Sequence, residues 1–226
     1  MFIPLKDLNP RRSYPIVNTT LILVNVLAFV YQYTLPPYAF KMFMTANATV
    51  PARFPAWLSG HAPFEAAFLP LLTSMFLHSG IMHIAGNMLF LWIFGDNVED
   101  FYGHFTYLLF YLVCGIGSGL LHVLFNLSST VPALGASGAI SAVMGAYALL
   151  YPRSRILTLV FIFLVPIPAV IILGYWFILQ FLSGVSSLGA VASGGVAWWA
   201  HVGGFLLGML ITTMARIGQS TRWKSA

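Results

Sequence analysis

The sequence predicts an all-α, polytopic membrane protein with six transmembrane helices and a membrane-embedded external loop between the first two. Three observations carry this. Of 226 residues, 59% are hydrophobic and only 7% charged. A soluble domain carries roughly 25% charged residues, so this chain has too few charges to cover a water-facing surface. Apolar runs recur along the chain at about the 20-residue length that a hydrocarbon core of roughly 30 Å requires. The basic residues also segregate to one face once those runs are threaded through a bilayer.

The first run, about 15–33, follows MFIPLKDLNPRRSYP. It is longer than a signal-peptide core and has no small-x-small cleavage site at its end, so it reads as an uncleaved first helix. Residues 34–79 follow as a long loop rich in Pro, Phe and Trp. A free linker would be polar, whereas Trp and Phe favour the membrane interface. The second and third runs are about 80–97 and 105–126. The fourth, about 137–151, is short for a span and implies a helix that starts part-way into the membrane, met by a dipping loop at 127–136. Such a loop survives only where protein or a wet cavity surrounds it. The fifth and sixth runs are about 156–180 and 198–216. No internal repeat is evident, so residues 1–226 read as one six-helix domain.

Six spans place Lys6, Arg11, Arg12, Arg153, Arg155, Arg216, Arg222 and Lys224 on one side, with only Lys41 and Arg53 opposite. The positive-inside rule makes the first side cytoplasmic, with both termini there. The net charge of +5 is therefore topological, and no nucleic-acid partner is expected. The single cysteine, Cys114, excludes an intrachain disulfide and any Cys-based metal cluster.

No Asp, Glu, Lys or Arg lies within the core of any span. The polar residues that remain are few, and intramembrane polar groups are functional candidates by default. They are His83, Asn87, Ser137 and His201, with His78 and His122 behind them. Ser137 stands in Gly135-Ala136-Ser137-Gly138 at the mouth of the fourth run. Ala139 occupies the position where the nucleophile elbow of soluble hydrolases needs glycine. A helix start still offers unpaired N–H groups and partial positive charge to an oxyanion. The competing reading is a small packing residue.

His201 shares one helix face with Gly204 and Gly208, and Ser141, Ala142, Gly145 and Ala146 give the fourth run a similarly small surface. Two such faces approach closely and bring His201 within reach of Ser137. Serine needs a base to take its proton, and neutral histidine is the usual one near neutral pH. His83 and Asn87 are four apart, on one face of the second span, and both can donate hydrogen bonds to an oxyanion. The competing reading of that pair is an interhelical clamp. His78, His83 and His201 bring no carboxylate and no H-E-x-x-H pattern, so no metal or other cofactor is expected. With no acid at the depth of Ser137, the expectation is a Ser–His dyad rather than a triad.

The set His83-x-x-x-Asn87, Gly135-Ala136-Ser137-Gly138 and Ala200-His201-x-x-Gly204-x-x-x-Gly208, in this order on spans two, four and six, resembles the rhomboid family of intramembrane serine proteases over about 80–216. The resemblance implies a rhomboid-like fold. It implies Ser137 as nucleophile, His201 as general base, and His83, Asn87 and the Ser137 N–H as oxyanion donors. It implies that Gly204 and Gly208 let the last helix pack on the serine helix, with Gly135 and Gly138 opening the turn around the serine. It also implies a structural Glu99, a lateral loop at 34–79, and transmembrane proteins in the lipid bilayer as substrates. Two departures stand out. Leu69-Pro70 replaces a Trp-Arg pair of some members, and Ser141 replaces a tyrosine that stacks on the histidine. Trp176, Phe177, Phe181 and the loop 127–136 are candidate gates. The alternative is a catalytically inactive rhomboid-like protein that binds transmembrane clients. The compact core points to a prokaryotic plasma membrane.

Overall fold

A computed structural model describes residues 2–187 and 197–224. It is mostly helical. Helices α1 (Ile16–Thr34), α5 (Ile81–Tyr102), α6 (His104–Phe125) and α7 (Ser137–Leu150) lie within a few residues of the expected runs, and α9 (Trp198–Lys224) extends well beyond 216. Between α1 and α5 come α2 (Pro37–Asn47), α3 (Arg53–Leu58), α4 (Phe64–Thr73) and a 3-10 turn, Ser74–Phe76. Strands β1 (Phe2–Asp7), β2 (Arg155–Val160) and β3 (Phe163–Pro168), and helix α8 (Ala169–Ser187), complete the fold. Among the described residues four helices, α1, α6, α8 and α9, are long and apolar enough to cross a bilayer. A fifth is possible if α4 with its 3-10 turn counts as one span with α5, to which it is bent by 77°. Helix α7 has 14 residues, about 21 Å at 1.5 Å per residue, which is short of a full crossing.

Two expectations need correction. The chain is not all-α: β1, β2 and β3 form an antiparallel sheet in that order. Its register runs from Phe2 opposite Val160 to Asp7 opposite Ile156, and from Arg155 opposite Pro168 to Val160 opposite Phe163. The fifth helix therefore begins at Ala169, not 156. Residues 155–168, RILTLVFIFLVPIP, are as apolar as a span. However, Pro166 and Pro168 would each cost a hydrogen bond and kink or break a helix there, and the β-branched and aromatic content favours strands. Both prolines fall on β3, an edge strand, where a missing N–H is tolerated. The hairpin tip, Phe161 to Phe163, is 66–82% exposed.

The segment 34–79 folds into α2, α3, α4 and the 3-10 turn. Its Phe54, Ala67 and Leu71 pack with Val123 of α6 into a small second core, with Trp57 and Phe68 against it. The Arg53 guanidinium donates to the carbonyl of Thr45 at 2.7 Å and reaches those of Ala48 and Ala66 at 3.5 Å. Thr49 pairs with Ala133 through two backbone bonds of 3.0 and 2.8 Å. That bridge ties the segment to the loop that leads into α7.

The main core surrounds α7, in which every residue from Gly138 to Tyr147 is buried. A helix apolar on all sides belongs in such a centre, and α7 packs chiefly on α9, then on α6 and α5. On the opposite side of the molecule from the α7 start, Glu99 accepts hydrogen bonds from the Val17 N–H (3.0 Å) and the Asn18 N–H (2.7 Å). A carboxylate at that point satisfies open donors of α1 and complements its dipole. Glu99 Oε1, which accepts from the Val17 N–H, also lies 2.5 Å from His104 Nδ1.

Candidate active site

Ser137 is the first residue of α7. Gly135 holds φ at +125°, a conformation that L side chains rarely adopt, and its N–H donates to the Ser74 carbonyl at 2.9 Å. That geometry lets the loop turn sharply into the helix. Ala136 at the N-cap offers no side-chain acceptor. The first-turn N–H groups at Ser137 therefore have no carbonyl of their own helix to bond.

Helices α7 and α9 meet backbone to backbone. A Cβ on Gly204 would collide with the Gly138 carbonyl oxygen, one on Gly208 with that of Ala142, and one on Gly145 with that of Phe205. Only glycine permits this separation. At the end of that seam the Ser137 hydroxyl lies 2.7 Å from His201 Nε2. His201 is 8% exposed. Its other ring nitrogen, Nδ1, lies 2.7 Å from Gln180 Oε1 on α8. The rings of Trp176 and Trp198 flank it at 6.0 and 6.4 Å between centroids. Ser141, one turn after Ser137, bonds back to the Ser137 carbonyl at 2.6 Å rather than to the histidine.

His83 and Asn87 approach from α5. A Cβ on Gly135 would come within 2.8 Å of His83 Nε2 and 3.6 Å of Asn87 Nδ2, so both nitrogens border the turn before Ser137. Asn87 Nδ2 is buried without a hydrogen-bond partner. His83 Nδ1 receives the Ser79 backbone N–H at 3.4 Å and lies 3.0 Å from the Ser79 hydroxyl. A backbone N–H can only donate, so Nδ1 accepts and the neutral ring carries its proton on Nε2. Two donors thus border one face of the Ser137 turn. His83, Asn87, Ser137, His201 and Trp176 line a cavity of about 800 Å³.

The other histidines stand apart. His78 is buried against the His83 ring at 5.1 Å, with neither of its own ring nitrogens partnered. His122 lies on α6 beside a small second cavity behind Ser137. Among the described residues no three His, Cys, Asp or Glu side chains group as a metal site. Of the candidate gates, Phe177 packs on Phe205 at 4.9 Å and Phe181 meets Trp199 at 6.4 Å between centroids. Sequence reasoning missed Ser79 and Gln180. Gln180 carried a signal, a lone amide in an apolar helix. Ser79 carried none.

Comparison with known proteins matches residues 65–217 to the Rhomboid domain family. The chain is 32% identical over 149 residues to Rhomboid protein 1, mitochondrial, of Saccharomyces cerevisiae, covering 63% of this chain and 40% of that protein. It is 46% identical over 76 residues to Rhomboid protease GluP of Bacillus subtilis, covering 34% of this chain and 14% of that one. It is 29% identical over 167 residues to the human Presenilin-associated rhomboid-like protein, mitochondrial, covering 69% and 39% respectively. The matched regions span less than half the length of each of these relatives.

Proposed function

Since this chain belongs to the rhomboid family and is a multi-pass membrane protein, we propose that it is an intramembrane serine endopeptidase acting through Ser137 and His201. The observation that carries this reading is the 2.7 Å approach of His201 Nε2 to the Ser137 hydroxyl beside an unpartnered donor, Asn87 Nδ2. His201 takes the hydroxyl proton as Ser137 attacks the scissile carbonyl carbon. The tetrahedral oxyanion rests among the Ser137 N–H, His83 Nε2–H and Asn87 Nδ2–H. Collapse breaks the C–N bond, and His201 returns its proton to the leaving amine. Water, activated by the same histidine, then hydrolyses the acyl-enzyme.

The substrate is a transmembrane segment of another protein. Such a helix has its backbone hydrogen bonds made and must unwind before its carbonyl reaches Ser137, which favours segments with Gly, Ala or Pro. In this reading the chain crosses six times with α7 as the short fourth span, Ser137 lies toward the external face, and both termini lie on the cytoplasmic side of a prokaryotic plasma membrane. Trp176, Phe177 and Phe181 put α8 beside the route from lipid.

The test is fluorophosphonate labelling of the purified protein in detergent. The wild type labels and Ser137→Ala does not, and His201→Ala loses proteolysis of a transmembrane reporter while staying folded. Labelling that survives Ser137→Ala overturns the nucleophile assignment. A folded wild type that neither labels nor cleaves points instead to client binding.

A further inference from the structure

We propose that Gln180 is the positioning residue of the base: its side-chain carbonyl holds His201 in the tautomer whose Nε2 is free to take the serine proton. This rests on the dyad reading above. Gln180 Oε1 and His201 Nδ1 are 2.7 Å apart, and His201 Nε2 and Ser137 Oγ are also 2.7 Å apart. An amide oxygen can only accept, so Nδ1 carries the ring proton and Nε2 has a lone pair facing the hydroxyl. The opposite tautomer would turn an N–H toward Ser137 and remove the base. When the imidazole takes the proton it becomes a cation, and the Nδ1–H to Gln180 bond strengthens as a charge-assisted one.

Among the described residues, nothing else near the ring does this. Ser141 is spent on the Ser137 carbonyl, and Trp176 and Trp198 offer ring faces and edges rather than an acceptor at Nδ1. Gln180 lies one turn beyond Trp176 on α8, on the side that meets α9, while Ile178 and Leu179 between them are exposed. A neutral amide also suits the setting. A carboxylate there would need desolvation of a full charge within the apolar layer, whereas the amide costs far less and still accepts one bond.

The test compares Gln180→Leu and Gln180→Glu with wild type in a detergent-solubilised reporter assay across pH, each checked for folding by its thermal transition. Gln180→Leu lowers kcat on the order of 10- to 100-fold with KM unchanged, the loss of a bond that gains strength in the transition state. Gln180→Glu retains an acceptor and restores turnover. Its carboxylate holds the imidazolium proton to higher pH, so the acid limb of the rate profile moves upward. The other titratable groups nearest His201 are His83 on α5 and His122 on α6, and neither is altered. A folded Gln180→Leu within twofold of wild type overturns the proposal, as does a Gln180→Glu whose acid limb does not move. If Gln180→Leu fails to fold, the Gln180→Glu limb alone decides. Retained activity in Ser137→Ala or His201→Ala removes the dyad itself, an outcome separate from loss of the Gln180 role.

Discussion

Gly204→Ala tests whether the α7–α9 seam sets the distance between serine and histidine. The added methyl would collide with the Gly138 carbonyl, with the carbonyl carbon at 3.1 Å and Ser141 Cβ at 3.3 Å as its next neighbours. Neither backbone atom can swing aside as a side-chain tip would. The helices must therefore separate by roughly 1 Å to restore ordinary van der Waals spacing. Such a shift carries His201 Nε2 from 2.7 Å to a separation at which no hydrogen bond to Ser137 remains. A misplacement of this size costs on the order of 100-fold in rate. Two stability effects oppose each other. Alanine gains about 1 kcal/mol over glycine in a helix, while overpacking costs about 1–3 kcal/mol, and a clash with a backbone oxygen belongs at the upper end of that range, so the net effect is destabilising. Gly174→Ala on α8 is the control, since a Cβ there meets nothing within 4 Å, and only the helix gain applies. The assay is the fluorophosphonate labelling rate together with thermal unfolding in detergent. Gly204→Ala should label about 100-fold more slowly and melt lower, while Gly174→Ala labels normally and melts at or above wild type. A Gly204→Ala protein that labels at the wild-type rate and gains stability as Gly174→Ala does would refute the close-seam argument.

Three further outcomes are expected. Asn87→Ala removes the unpartnered donor beside Ser137 and lowers kcat on a transmembrane reporter by about 100- to 1000-fold, with little change in melting temperature because no protein bond is lost. Glu99→Gln keeps the shape but removes the charge that accepts the Val17 and Asn18 N–H groups, at a cost of about 1–3 kcal/mol, read as a lower unfolding midpoint with labelling of the folded fraction intact. Asp7 lies in β1, and burial raises its carboxyl above the ordinary range, against the opposing pull of the Tyr147 hydroxyl and the Asn9 N–H. The folded protein thus holds that proton more tightly than the unfolded chain, so this group's contribution to stability falls as pH rises through the carboxylate range and up to the raised value. Melting of Asp7→Asn across that range should show a shallower decline than wild type, and an unchanged slope would refute the assignment.

The elements legible in the sequence are those whose termini carry local signals. Gly135 and Gly138 mark the start of α7, and Gly103, at φ +73°, separates α5 from α6. The stretch 155–168 was misread because hydrophobicity alone does not separate a buried strand from a buried helix. Pro166 and Pro168 held the distinguishing information, and the pairing partner Phe2–Asp7 lies too far away in sequence for any local pattern to reveal it. At the candidate site, glycines at 204 and 208 foreshadowed the approach of His201 to Ser137, since close helix contact demands small residues on both faces. The His201 partner was not foreseen. Its acceptor sits on a third helix, and 21 residues of sequence separation say nothing about which way an amide on an apolar helix turns.

The β1–β2 pairing also orders the assembly of the chain. Phe2 closes on Val160 and Asp7 on Ile156, so the first strand to be synthesised waits for its partner until α1 through α7 have been made. Closure over so long a loop comes late, after local helices have formed. β3, on the far side of β2 from β1, passes into α8 with no intervening residue, so β1 completes the sheet whose opposite edge leads into the helix that carries Gln180. A deletion at residues 2–7 would strip β2 of its pairing partner and remove the Asp7 carboxylate that accepts from Tyr147 of α7, far downstream in sequence.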